Sequence, residues 1–468
     1  MNPRYRMTRF MTIVAAAALF LSSCSVYTPD KRDLKPEQMP EQYSLYPETS
    51  EKTPDKWWES FQSAELNRLI QRGLEHNLNI HQARARIKQA KAALEKVGGS
   101  TVPSIGLSTG VTRTMMPDID SVDAYSLGLS ASYELDLWGR VDSLVEGERL
   151  DYQATQADLE TSAMSIAASI TETWLSIIST RLTIGILNEQ VKNNQTMLAL
   201  LEMRFENAMT DALDVLQQQE ALAGSKAAIP LLEAREQVLL NNLALLLGNP
   251  TSKGVTVSQK TLPDITKLPA VGIPADLLAR RPDIRSAGLN LKSSDWDIAA
   301  ARANRLPSVS LSGSYGYSSS DFSTLFDNWI FSLGASLVAN LYDGGTKSAE
   351  VKRLEAGVEE ELARYKYTVY NAIFDVENSI INEKKQAEYV VLLNQQLSLA
   401  RSVLTEAERQ YTNGLKTFLP VITEIPKVQT LEKQIVSEKA DLLKYRIALY
   451  RALGGSWTNK LVPLENES

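Results

Sequence analysis

Residues 125–137 alternate so strictly that they define the medium on each side of the chain. Tyr125, Leu127, Leu129, Ala131, Tyr133, Leu135 and Leu137 share one parity; Ser126, Gly128, Ser130, Ser132, Glu134 and Asp136 share the other. Successive side chains of a strand point to opposite faces, so one face is wholly apolar and the other small, polar and partly acidic. A tilted membrane crossing takes about 9–11 residues, and this run is longer than that. It reads as a strand with lipid outside and water inside.

Three further segments repeat the pattern. Ile105, Leu107, Thr109 and Val111 oppose Gly106, Ser108 and Gly110, and Val309, Leu311, Tyr315 and Tyr317 oppose Ser308, Ser310, Ser312, Ser314 and Gly316. Phe331, Leu333, Ala335, Leu337, Ala339 and Leu341 oppose Ser332, Gly334, Ser336 and Asn340. Two hairpins of a soluble sandwich are the alternative, but such a sheet would carry Lys, Glu, Arg and Thr where this chain carries Ser and Gly. Four strands cannot close a barrel, and an open edge does not survive in lipid. Bacterial barrels begin at about 8 strands, so this chain has to associate.

The N-terminus agrees with that destination. Arg4, Arg6 and Arg9 precede an apolar run at 10–21 broken only by Thr12. Such a run is too short to span a bilayer as a helix and suits a signal peptide over 1–23. It ends in Leu21-Ser22-Ser23-Cys24, which resembles the lipobox of bacterial lipoproteins. Cys24 would then become the mature terminus and carry covalent lipid, the chain's one non-protein group and no cofactor in the catalytic sense. Ser25 in place of Asp matches lipoproteins sent on to the outer membrane. Residues 24–60, rich in Pro, Glu and Lys, read as a lipidated tether.

Removing 1–23 takes the formal charge from −7 to −10, and basic residues are dispersed among acids, so no nucleic-acid footprint is present. One Cys and two His leave no disulfide within the chain and no basis for a Cys/His metal site. No nucleophile–base pair or phosphate loop suggests an enzyme.

The chain is internally duplicated. Tyr125-Ser-Leu-Gly-Leu-Ser matches Phe331-Ser-Leu-Gly-Ala-Ser, Leu187-Asn-Glu-Gln matches Leu393-Asn-Gln-Gln, and Leu247-Gly248 matches Leu453-Gly454, all at one offset. The first repeat, 61–250, holds a helix at 66–97, a hairpin at 103–137 and long helices at 141–205 and 212–247. The second, 274–454, holds a helix, a hairpin at 307–342 and long helices at 346–411 and 418–453. A linker at 251–273 joins them, and 455–468 form a tail. Ala163, Ile166, Ile170, Thr173, Ile177, Thr180, Ile184, Leu187, Val191, Asn194, Leu198, Leu201 and Phe205 alternate steps of three and four, which drives left-handed supercoiling. The second seam is interrupted at Ser379, Glu383 and Gln386. Each long helix spans on the order of 100 Å. Pro230, Pro420 and Pro426 are expected to kink the returning helices.

With this organisation, Trp57-Trp58-Glu-Ser-Phe61, Tyr133-Glu-Leu-Asp-Leu-Trp-Gly-Arg-Val141, Asp214-Val215-Leu216 and Ile273-Pro-Ala-Asp-Leu-Leu-Ala-Arg-Arg-Pro-Asp-Ile284 resemble the outer membrane factor family, the TolC-like exit channels. Ala299-Ala-Ala-Arg-Ala-Asn-Arg-Leu-Pro-Ser308, Tyr342-Asp-Gly-Gly345 and Leu449-Tyr-Arg-Ala-Leu-Gly-Gly-Ser-Trp457 extend the likeness, which leans to the lipoprotein branch serving resistance-nodulation-division pumps. The resemblance implies a mixed α and β membrane protein. Its homotrimer would form a 12-stranded β-barrel, four strands per chain, continued by a long periplasmic α-helical barrel.

It also implies a periplasmic adaptor (membrane fusion protein), an inner-membrane pump and helix tips that gate. By position the tips hold Arg204, Asp211, Asp214, Tyr411, Gly414 and Glu424, while Pro420 and Thr423 occupy places where some relatives put carboxylate rings. On the strands, Ser126, Ser130, Glu134, Asp136, Ser310, Ser332 and Ser336 are expected to face the lumen. The function expected is passive conduction in tripartite efflux. The alternatives are an envelope-spanning structural or adhesive coiled-coil protein and a type I secretion duct.

Overall fold

The computed structural model describes residues 27–29, 34, 39–43, 56–117, 119–264, 269, 271–455 and 457–458. The signal peptide and Cys24 lie outside them. By packing the chain divides into two compact units. One comprises Met1–Pro36, Ala85–Ala157 and Arg285–Tyr367; the other comprises Glu37–Arg84, Asp158–Ile284 and Thr368–Ser468.

In chain order the first repeat holds α1 (Ala64–His76), α2 (Leu78–Gly98), β1 (Ser104–Met116), β2 (Ile119–Leu135), α3 (Arg140–Glu206) and α4 (Ala212–Leu246). The second holds a short turn of helix at Leu277–Arg280, α5 (Pro282–Ala303), β3 (Ser308–Ser319), β4 (Trp329–Val338), α6 (Thr346–Thr412) and α7 (Leu419–Leu453). Both long helices have 67 residues and both returning helices 35, so the duplication is preserved in length.

In the first unit the strands form one antiparallel sheet in the order β1-β2-β3-β4. The hairpins of the two repeats are joined through β2 and β3, which pair from Tyr125↔Ser319 to Leu135↔Val309. That leaves β1 and β4 as free edges. The strand expected over 125–137 begins at Ile119 and stops at Leu135, and β4 stops at Val338, short of Leu341.

In the second unit, packed side chains carry the stability. Trp174, Ile170, Leu175, Ile177 and Ile178 of α3 are buried together with Leu66 and Ile70 of α1 and Leu243 of α4. Each such side chain contributes roughly 1.5–3 kcal/mol on burial. The supercoil seam is buried at Ala163, Ile166, Ile170, Ile177, Thr180, Leu187, Asn194 and Leu201, but Phe205 at its end is exposed.

The seam interruptions on α6 have partners. Glu383 accepts from Arg446 Nε at 2.9 and 3.0 Å with both side chains buried, Gln386 donates to the Glu438 carbonyl, and the Ser379 hydroxyl donates to the Asp375 carbonyl. At the equivalent positions of the first repeat stand Ile177 and Leu240, both buried. One repeat thus holds an ion pair where the other holds two aliphatic side chains.

The single helix expected over 66–97 is two, broken at Asn77. The second repeat breaks at the matching Arg281. Asn77 Nδ2 donates to the Leu246 carbonyl at 2.8 Å, and Arg281 Nη1 to the Ala452 carbonyl at 3.3 Å, each capping the end of a returning helix. Arg281 also grips Asp283 through two hydrogen bonds of 3.0 and 2.7 Å and reaches Asp375 at 3.1 Å. The glycine beyond each returning helix is required there. Gly248 (φ +73°) and Gly454 (φ +72°) are left-handed, and a Cβ would stand 2.1 Å from the His76 oxygen and 2.7 Å from the Arg280 oxygen.

Both returning helices run unbroken through their interior prolines, Pro230 and Pro426, and Pro420 is the second residue of α7, where its missing N–H costs nothing. The N-terminal boundary set at residue 60 falls inside a 3-10 helix, Trp57–Phe61, which is buried rather than free. Trp57 stacks on Tyr450 at 5.5 Å and Trp58 meets Trp457 edge-on at 4.7 Å. Aromatic contact therefore ties this 3-10 helix to Tyr450 of α7 and to Trp457 just beyond it.

Candidate functional site

Strand register decides what each face of the sheet presents. The row Leu107↔Leu129↔Tyr315↔Phe331 is followed by Ile105↔Ala131↔Gly313↔Leu333, Tyr133↔Leu311↔Ala335 and Leu135↔Val309↔Leu337, all on one side. The other side carries Gly106↔Ser130↔Ser314↔Ser332, Ser104↔Ser132↔Ser312↔Gly334, Gly110↔Ser126↔Ser318 and Glu134↔Ser310↔Ser336. Of the expected wall residues, Ser126, Ser130, Glu134, Ser310, Ser332 and Ser336 share this face. Ile330, opposite Gly316, is apolar on that face, as are Val338 opposite Ser308 and, at the far end of the first hairpin, Ala124 and Val122 opposite Thr112 and Thr114.

The apolar side is exposed in the single chain, with Leu107 at 72% and Leu333 at 79%. Water does not tolerate so continuous an apolar sheet face. Tyr315, Tyr317, Trp329 and Phe326 touch one another at 5.3–6.0 Å toward the β3–β4 loop, as the aromatic girdle of a membrane barrel does. Apart from Ile330, the middle of the polar side offers Ser hydroxyls and Gly backbone. Ser310 and Ser336 hydroxyls lie 2.8 Å apart, as do those of Ser104 and Ser132.

The two acids expected on the wall have local duties. Arg140 at the start of α3 grips Glu134 through bonds of 3.0 and 2.8 Å, neutralising it. Asp136 lies beyond the end of β2 and accepts the Asp142 backbone N–H at 2.8 Å, acting as a cap for α3. The strand ends before Asp136 because its carboxylate satisfies a helix terminus better than a ladder.

At the far end of α3 the two repeats meet in the second unit. Arg204 lies 4.6 Å over the Tyr411 ring, a cation–π contact, and Tyr411 packs on Phe418 at 5.2 Å. The Tyr411 hydroxyl donates to Thr210 at 3.4 Å, and Thr210 in turn donates to Asp214. Leu201, Phe418, Val421 and Ile425 close an apolar cluster beneath. Of the expected tip residues, the structure thus brings Arg204, Asp214 and Tyr411 together. Asp211 is the N-cap of α4, accepting from the Asp214 N–H at 3.0 Å, and Glu424 pairs with Lys427 at 2.6 Å. Gly414 (φ +71°) and Ala208 (φ +57°) occupy matching left-handed positions. Each closes a Schellman turn, with Leu415 N–H bonding to the Gln410 carbonyl and Met209 N–H to the Arg204 carbonyl.

Sequence reasoning passed over Thr210 and Phe418. Only the match between repeats, which sets one tip beside the other, would have pointed to them. Among the described residues no group of His, Cys, Asp and Glu is placed to hold a metal.

A sheet with one lipid-facing and one hydroxyl-lined face, on a duplicated helical frame, defines an outer membrane channel subunit. Residues 69–249 and 273–455 match the model of the outer membrane efflux protein family, and the chain belongs to that family. It is 29% identical over 86% of its length to the pyoverdine export outer membrane protein OpmQ of Pseudomonas aeruginosa, of which 87% is covered. It is 23% identical to the "Probable outer membrane lipoprotein SilC" of Salmonella typhimurium, covering 96% of this chain and 99% of that protein. The solved outer-membrane channel OprN superposes with a TM-score of 0.86 at 28% identity, over 93% of this chain and all of that one.

Proposed function

We propose that three copies of the chain assemble into a passive duct of a tripartite efflux system. Their twelve strands close a barrel with the hydroxyl-lined face inward, and the long helices continue it as a periplasmic tunnel. An inner-membrane pump and a periplasmic adaptor deliver substrate, and Cys24 carries the lipid that holds each chain to the outer membrane. The observation that carries this reading is the strand register, which gathers Ser and Gly at most positions of one face and aliphatic and aromatic groups at most positions of the other across all four strands.

The tip contacts suit a gate. Arg204, Thr210 and Asp214, partly exposed, hold the buried Tyr411 by weak bonds that join the two repeats, and such bonds are exchanged at low cost when an adaptor docks.

Purified protein in planar lipid bilayers tests the reading. Discrete pore currents are expected, and Tyr411→Ala is expected to raise the time spent open. A protein that binds the bilayer without any unitary current would overturn it and favour an envelope spacer.

A further inference from the structure

In the second unit one level of the long helices is held by amides where its counterpart is aliphatic. Asn194 stands in the α3 seam and is 1% exposed, with Gln190 and Gln218 buried beside it. Its Nδ2 donates to Ser225 Oγ of α4 at 2.9 Å. Gln218 Nε2, also of α4, donates to the Asn194 carbonyl at 3.1 Å and to its Oδ1 at 3.3 Å. Gln429 Nε2 of α7 reaches the same Oδ1 at 3.4 Å, and Gln190 Nε2 donates to the Gln429 carbonyl at 3.1 Å. One side chain of α3 thus joins both returning helices.

The second repeat has no such node at the matching level. Ala400 and Leu431 stand where the first repeat has Asn194 and Ser225. Leu393, Leu431 and Ile435 are buried there, with Leu397 and Ala400 packed against them. The amide node is also incomplete, since Gln218 Oε1 is buried without a partner among the described residues. The Asn194 carbonyl fixes the orientation of that amide, because only its NH2 can face an oxygen. A buried polar cluster with one group unpaired holds helices less tightly than apolar packing of the same shape. Stability is therefore not what the node supplies.

It supplies direction. Apolar contact is non-directional, and a seam of Leu and Ile accepts a neighbour one turn along nearly as well. Amides do not. Sliding α7 by a turn, about 5.4 Å, sets Ile425, which has no donor, or Lys433, a buried charge, where Gln429 meets Asn194. Sliding α4 by a turn sets Leu222 where Gln218 meets it. Either slip leaves the Asn194 amide short of partners in a buried place, and that loss outweighs what the bonds contribute when made. A lone Asn in an apolar coiled-coil seam fixes register in this way, at a cost in stability.

Asn194 lies ten residues from Arg204 along α3, and Gln429 eleven from Phe418 at the cap of α7, so the node stands about 15 Å from the tip cluster on both helices. We propose that this node is a register clamp. It fixes the heights of α3, α4 and α7 against one another, so that Phe418, with Tyr411 packed on it, meets Arg204 and Thr210 of the other repeat. Asn194, Gln218 and Gln429 are positioning residues that act through those tip contacts. The clamp rests on the gated duct proposed above and names what aligns its tip.

Copying the second repeat into the first tests it in the full-length protein. Asn194→Ala with Gln218→Leu and Ser225→Leu removes the node and fills its place with aliphatic groups. The thermal midpoint in detergent is expected at or above that of wild type, and the time spent open in planar bilayers is expected to lengthen. A merely structural node would move the two the other way, so a lowered midpoint would overturn the clamp, as would wild-type open time at a raised midpoint. Gln429→Leu, at a partly exposed position, removes only the side-chain bond between repeats and serves if the triple variant does not assemble. It is expected to lengthen the open time at an unchanged midpoint, and wild-type gating would overturn the clamp while leaving the duct intact. Wild-type protein that inserts without unitary current would overturn the duct and the clamp together.

Discussion

Asp297 on α5 shows how a single side chain responds to its neighbours. Loss of water around it, then the charges of Asp151 and Glu148, push its carboxyl up to about 6 from an ordinary 3.8, with Arg353 opposing. A raised acid favours the folded state only while protonated. Its contribution is therefore complete below the unfolded value near 3.8 and lost as pH rises through about 6. Asp297→Asn is expected to raise the thermal midpoint of the detergent-solubilised protein at pH 8 and to change it little at pH 4. Ala208 is a second residue-scale case, because its left-handed backbone costs an L side chain about 1–2 kcal/mol where its counterpart is Gly414. Ala208→Gly should recover part of this, about 0.5–1 kcal/mol after the entropy of the glycine, as a higher unfolding midpoint.

Among the helices, α6 and α7 are joined by the buried Glu383–Arg446 pair where α3 and α4 have Ile177 and Leu240. Glu383→Ile alone leaves a guanidinium buried without its partner and is expected to cost about 3–5 kcal/mol in unfolding experiments. Glu383→Ile with Arg446→Leu copies the first repeat and is expected to be neutral or more stable than the native pair. Among the strands, Leu129→Arg on the apolar face is expected to cost about 2–4 kcal/mol near the midplane and to impair insertion. Ser130→Arg is expected to insert and to change ion selectivity instead, and equal behaviour of the two would refute the assigned facing.

These elements were unevenly legible in the sequence. Strand parity gave the two faces of the sheet, because period-two alternation survives any choice of register. A long stretch without proline, ended by a short turn connection, gave the long helices to within a residue or so at their ends. Asn77 was illegible as a helix break, since its amide bonds to a carbonyl 169 residues away, whereas the break at Arg281 precedes Pro282, which disfavours helical backbone in the residue before it. Glu383 appeared as a fault in a seam because its partner Arg446 lies on another helix. Asp136 was assigned to the wall because alternation cannot see that a carboxylate will turn to cap the following helix. At the tip, Arg204, Asp214 and Tyr411 were found by position, but the Thr210 hydroxyl that links the last two depends on loop geometry.

For the whole molecule, one constraint carries the account: each chain leaves unpaired at its edges what only further copies can pair, and places a hydroxyl-lined face where closure would form a water-filled lumen. The most direct test is chemical access to that face in an assembled channel. Ser130→Cys and Leu129→Cys are reconstituted separately in planar bilayers and exposed to a charged, water-soluble thiol reagent while unitary current is recorded. Current through Ser130→Cys is expected to fall stepwise on reaction, and current through Leu129→Cys to stay unchanged. A fall at Leu129→Cys with no change at Ser130→Cys would contradict the account.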